Sequence, residues 1–99
     1  MTLDANQLTL TAVIAERSAL RYTPAGLPAL DLLLEHVSQQ PEAGQQRQVV
    51  ARAKAVAFAS LAESLQRQPI GSRWCFQGFV ATPRTGKHLV FHIQAFHPI

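Results

Sequence analysis

Ninety-nine residues are enough for one small domain and too few for a two-domain enzyme. With 47% hydrophobic and 15% charged residues the chain can fold, and its net charge of +3 permits a polyanionic partner without requiring one. No apolar run nears the ~18 residues of a membrane span, Met1-Thr2-Leu3-Asp4 does not begin a secretory leader, and the single Cys75 can close no internal disulfide. A protein of the reducing cytoplasm is therefore expected, as one domain over residues 1–99 with its core at about 6–96.

From Asn6 to Ile14, Leu8, Leu10, Ala12 and Ile14 share one parity and Gln7, Thr9 and Thr11 the other, the pattern of a half-buried strand. Val13 breaks the polar parity, so a bend or bulge is expected near the strand's end. Arg21-Tyr22-Thr23-Pro24-Ala25-Gly26 reads as a hairpin tip, with Pro24 setting the first corner and Gly26 closing it. The chain returns from Leu30 to Val37 as a strand with Leu30, Leu32 and Leu34 inward, and Ser38 to Gln46 reads as a polar loop.

Arg47 to Arg67 supports two readings. One is a continuous helix with Val49, Val50, Ala53, Val56, Ala57 and Leu61 as its apolar stripe. The other is a strand to Ala57 followed by a short helix from about Ala59 to Arg67. Beyond Pro69, Gly71 and Ser72, Arg73 to Ala81 is an aromatic-rich strand in which Gly78 suggests a bend or bulge. Pro83-Arg84-Thr85-Gly86-Lys87 is a turn, and His88 to Phe96 the last strand. Five strands with one helix between the third and fourth fit an all-β, Greek-key barrel.

Several of these segments resemble the bacterial single-stranded-DNA-binding protein family. Arg21 to Gly26 resembles its first hairpin and Leu32 to Glu35 its second strand, while Gly71-Ser72-Arg73-Trp74-Cys75-Phe76-Gln77-Gly78-Phe79 is similar to its fourth. Leu34-Glu35-His36, Glu42-Ala43-Gly44 before Arg47-Gln48, and Gln77-Gly78-Phe79 look more specifically like short relatives of that family that act in the replication-restart primosome. With Phe96-His97-Pro98-Ile99 following the last strand directly, the short relatives, which lack the Gly- and Gln-rich linker and acidic tip of the longer members, are the expected match. The resemblance covers Asn6 to Phe96. It implies a five-stranded OB-fold barrel, with a third strand at 47–57 and one short helix after it. It also implies a homodimer that binds single-stranded DNA and bridges the restart helicase PriA to other primosome proteins.

Single-stranded DNA needs cations along its phosphates and, usually, aromatic faces for its bases. The expected contacts are Arg52 and Lys54, facing out of the third strand, with Arg84 and Lys87 of the turn between the fourth and fifth strands; Arg84 resembles a basic loop residue that touches DNA in the family. Solvated surface charge is the plain alternative for each. At the position of an aromatic in some members this chain has Val50, with Gln45 in the loop before it, and neither offers a ring. Tyr22 beside the hairpin turn is the remaining candidate for stacking, whereas Trp74 and Phe76 share a strand face suited to the core. DNA binding should therefore be mainly electrostatic.

Ser60, Ser64, Ser72 and the four histidines form no nucleophile motif and no GxxxxGK loop is present, so neither an enzyme nor a cofactor is expected. His88 and His92, four residues apart on one strand, stand ~13 Å apart, too far to share a metal, and are expected to be exposed. His36 and Cys75 are expected as surface and packed residues. A twofold dimer is expected through Leu8, Thr9, Leu10, Thr11, Ala12 and Val13, because Asn6 to Ala15 carries no Lys, Pro or charge of the kind that guards a free edge.

Overall fold

The computed structural model describes residues 4–99; the reading of the start at Met1 to Leu3 lies outside them. Among the described residues six strands and one helix follow in order: β1 (Leu8–Arg17), β2 (Arg21–Tyr22), β3 (Pro28–Glu42), β4 (Gln45–Phe58), α1 (Ser60–Gln66), β5 (Arg73–Ala81) and β6 (Val90–His97). Hydrogen bonding runs β1-β5-β6-β4-β3, and β1 returns to pair with β3, closing a five-stranded barrel on which β2 is a two-residue appendage. All pairings are antiparallel except β4–β6, which closes the barrel through Ala55↔Phe91 and Val56↔His92.

The inward residues of β1, β3 and β4 alternate as their strand period demands. Ile14, Leu30, Leu34 and Phe76 are fully buried, and Leu65 of α1 joins the same cluster. Between 47 and 57 the chain is strand, as the family resemblance implied and local helix propensity did not. Ala53, Ala55 and Ala57 are small enough to line a narrow barrel, and that burial outweighs alanine's preference for a helix. Arg17 holds the end of α1, donating from Nη1 to the Leu65 carbonyl at 3.3 Å and to that of Gln68, so a cation meets the negative end of the helix.

Two irregularities shape the outer surface. In β1 the register against β3 slips between Ile14 and Glu16, a bulge that turns Glu16 outward where simple alternation would point it into the barrel. In β5 the slip against β6 lies at Gln77/Gly78, at the expected glycine. A Cβ on Gly78 would lie 1.8 Å from the His92 carbonyl oxygen, so only glycine permits this approach.

Three expectations need correction. Ser38 to Gln46 is not a loop: β3 and β4 remain paired through Glu42↔Gln45 and turn on Ala43 (φ 55°) and Gly44 (φ 77°), a tight turn whose twist suits a hairpin. Both faces of this ribbon are wet, so it carries no apolar alternation to read, and Pro41 sits where the ribbon has left its neighbouring strands. His88 precedes the last strand, because the β5–β6 ladder ends at Ala81↔Val90 and Pro83 has no N–H to extend it. His92 is half-buried, not exposed. Its ring stacks on that of its cross-strand partner Phe79 (centroids 4.8 Å, planes 13° apart) and lies 6.1 Å from that of Phe58.

His36 is also half-buried. Its Nδ1–H donates to the Thr11 carbonyl at 2.6 Å, and its Nε2 lies 2.7 Å from the Ser38 hydroxyl. Trp74 packs edge-on to Phe96 at 5.1 Å and donates its indole N–H to the Ser72 hydroxyl at 2.9 Å.

Candidate nucleic-acid interface

The outward residues of β4 form a line: Gln48, Val50, Arg52 and Lys54 are all exposed, while the residues between them face the barrel. Arg52 and Lys54 border a cleft of about 410 Å³ whose apolar walls include Leu8, Val80, Leu89 and Phe91, with His88 at its edge. His88 and Leu89 end the β5–β6 connection, so the segment carrying Arg84 and Lys87 runs directly into this cleft. Lys54 is also shared with an adjoining cleft of about 420 Å³ that includes Glu16, Asp31 and Leu33. Arg84 and Lys87 are exposed and line neither cleft themselves.

The cations differ in their partners. Arg52 lies opposite Glu35 in the β3–β4 ladder and its Nη2 approaches Glu35 Oε1 at 3.3 Å and Glu16 Oε2 at 3.9 Å. Among the described residues, Lys54, Arg84 and Lys87 make no ion pair. Arg21 is committed to Asp31 through a two-pronged contact (Nε 2.7 Å, Nη2 3.1 Å), and that hydrogen bond raises the guanidinium's pKa above its ordinary value. Tyr22, beside it, is 65% exposed but lines neither cleft. Val50 is 64% exposed and faces Val37, 61% exposed, across the ribbon, an apolar pair without a ring.

Sequence reasoning singled out Arg52 and Lys54 but missed Glu16 and Glu35 as their neighbours. A two-residue turn at Ala43-Gly44, read from the sequence, would have paired Glu35 with Arg52 by counting back along the ribbon. Glu16 offered no such signal, because its outward direction comes from the bulge.

The free edge of β1 is narrower than its sequence suggested. Leu8 to Val13 are bonded to β5 on one side, and Val13 to Arg17 meet β3 on the other. The Ile14 N–H and carbonyl bond toward the β5 side, to Ser72 and Gly71. By alternation, Thr9 and Thr11 direct their backbone groups outward, and His36 occupies one of them.

A closed barrel with this strand order and a helix between its third and fourth long strands is an OB fold. Residues 6–95 match the family described as another single-strand binding protein family. The chain is 48% identical over 90 residues to the replication restart protein PriB of Bordetella pertussis, spanning 90% of this chain and 84% of that protein. It is 36% identical over 94 residues to PriB of Nitrosomonas europaea, spanning 94% and 87%. Its barrel superposes on PriB of Ralstonia solanacearum with a TM-score of 0.88 at 38% identity, over 96% of this chain and 98% of that one. The single-stranded DNA binding protein of Thermus aquaticus shares the fold, with a TM-score of 0.76 at 23% identity, over 96% of this chain and 50% of that one. The chain belongs to the PriB family of replication restart proteins.

Proposed function

We propose that the protein binds single-stranded DNA as an accessory factor of replication restart in the bacterial cytoplasm, and bridges that DNA to the restart helicase PriA and other primosome proteins. The observation that carries the reading is the convergence of Arg52, Lys54 and the β5–β6 connection on one apolar-walled cleft. Lys54, Arg84 and Lys87 supply the leading phosphate contacts, Arg52 adds a contact it must share with its carboxylates, and Tyr22 offers a ring to a base at the edge of the path. The working unit is a homodimer joined along β1, with Leu8, Thr9, Leu10, Thr11, Ala12 and Val13 at the interface; Thr9 offers the backbone groups for pairing, since Val13 is already bonded to β3 and His36 meets the Thr11 carbonyl. Pairing would satisfy the Thr9 backbone groups, and two grooves on one particle would raise the effective concentration of each for the same strand.

The test is titration of a fluorescent single-stranded oligonucleotide at two salt concentrations, with the protein and with a variant in which Arg52, Lys54, Arg84 and Lys87 are all Ala. Affinity should fall as salt rises, and the variant should bind more weakly with a flatter dependence, each lost contact removing ~0.7 from the logarithmic slope. Unchanged binding in the folded variant would place the path elsewhere. The exposed Val37–Val50 pair favours one other reading, an adaptor that holds protein partners and has little functional DNA binding. Salt-independent or absent DNA binding would select it.

A further inference from the structure

Arg52 is the one groove cation, among the described residues, whose charge is already met inside the molecule, and it is met twice. Glu35 reaches it from β3 at 3.3 Å and Glu16 from β1 at 3.9 Å. The second approach exists only because the β1 bulge turns Glu16 outward. All three side chains remain open to solvent, at 61% for Arg52, 42% for Glu35 and 71% for Glu16.

We propose that Glu16 and Glu35 act as an electrostatic brake on the groove: they occupy Arg52 and hold the protein's affinity for single-stranded DNA below what its four cations allow. The inference rests on the DNA-binding reading above. A phosphate approaching Arg52 must displace two carboxylates and meets their negative charge as it does so. Exposed ion pairs of this kind are weak and screened by salt, so phosphate exchanges with them and is not shut out. The brake therefore tunes affinity and is strongest at low salt. It also spares the strand from tight capture. A purely structural role, stitching β1, β3 and β4 together on their outer faces, would affect stability and leave DNA affinity alone.

The experiment compares the unaltered protein with Glu16→Gln/Glu35→Gln, with Arg52→Gln, and with the triple variant, by oligonucleotide titration at two salt concentrations and by thermal melting. Glu63→Gln on the exposed side of α1 controls for loss of a negative charge as such. The carboxylate-free variant should bind about 3- to 10-fold more tightly at low salt, with a salt slope steeper by up to ~0.7, the value of one added phosphate contact. Most of that gain should vanish in the triple variant, and Glu63→Gln should show none of it. The brake is overturned if wild type binds DNA but the double variant gains nothing, or gains equally with Arg52 replaced. Wild type that shows no salt-dependent binding at all would instead remove the DNA reading on which the brake depends. Glu16→Gln and Glu35→Gln taken singly keep the comparison available should the double variant melt early, each being expected to give part of the gain.

Discussion

Gly78 and Ala59 show how single residues bear on this barrel in opposite ways. The Gly78 position has no room for a methyl group, since the atom it would strike is backbone, the His92 carbonyl oxygen at 1.8 Å, and not a side chain that can turn aside. Gly78→Ala should therefore destabilise the protein by at least about 2 kcal/mol in denaturant unfolding, through forced separation of β5 and β6. Ala59, between β4 and α1, sits at φ 60° and ψ −137°, a conformation that disfavours any residue with a Cβ. It is held there because its N–H donates to the Pro28 carbonyl at 2.8 Å while its own carbonyl accepts from Glu63. Ala59→Gly should relieve that strain by about 1 kcal/mol, seen as a melting temperature higher by ~4–8 °C. An unchanged or lower melting point would mean that glycine's added freedom in the unfolded chain cancels the relief.

At the scale of elements, the β3–β4 ribbon is the part of the molecule whose shape exceeds what a barrel needs. Its fourteen consecutive pairs run from Ala29↔Phe58 to Glu42↔Gln45, and over its outer part it has no neighbouring strand among the described residues. Val50 stands on its outer face in line with Arg52 and Lys54. A strand whose phosphates follow those cations would bring its bases over Val50 and Val37. Val50→Trp should then strengthen oligonucleotide binding by up to ~1 to 3 kcal/mol, the worth of one stacked base, in the same titration. A folded Val50→Trp that binds no more tightly would show that the bases take another course. The residue is already exposed, so this substitution adds a ring without disturbing the core.

For the whole molecule the decisive question is whether β1 finds a second copy of itself. Leu10 is half-buried against the core, so a charge placed there would disturb the barrel along with any interface. Thr9→Pro is the cleaner probe: its N–H points away from β5, and removing it should leave the β1–β5 ladder intact while breaking a twofold strand pairing. Sedimentation equilibrium at micromolar concentration should give a two-chain mass for the protein and a one-chain mass for this variant. A one-chain mass for the protein itself, unchanged up to high concentration, would end the proposal. Leu8 stands both on β1 and in the wall of the cleft that Arg52 and Lys54 border, so a second copy paired along β1 would lie beside that groove.

Periodicity, turn residues and family resemblance were enough to read most of the barrel, because burial on one face leaves a parity in the chain: Leu30, Leu32 and Leu34 reveal their direction without any coordinates. The bend near the end of β1 and the irregularity at Gly78 were legible for the same reason, each breaking a pattern that its neighbours keep. Local pattern failed where no face is buried. The ribbon beyond Val37 is wet on both sides, so its Gln and Ser residues look like a loop although they are paired. Between 47 and 57, alanines that favour a helix when taken alone become strand because a narrow barrel needs small inward side chains. The cations of the groove could be named from the sequence, but their states could not. That Arg52 is met by Glu16 and Glu35 while Lys54 is not depends on strand register and on a one-residue bulge, which bring together groups from three strands that are far apart in the chain.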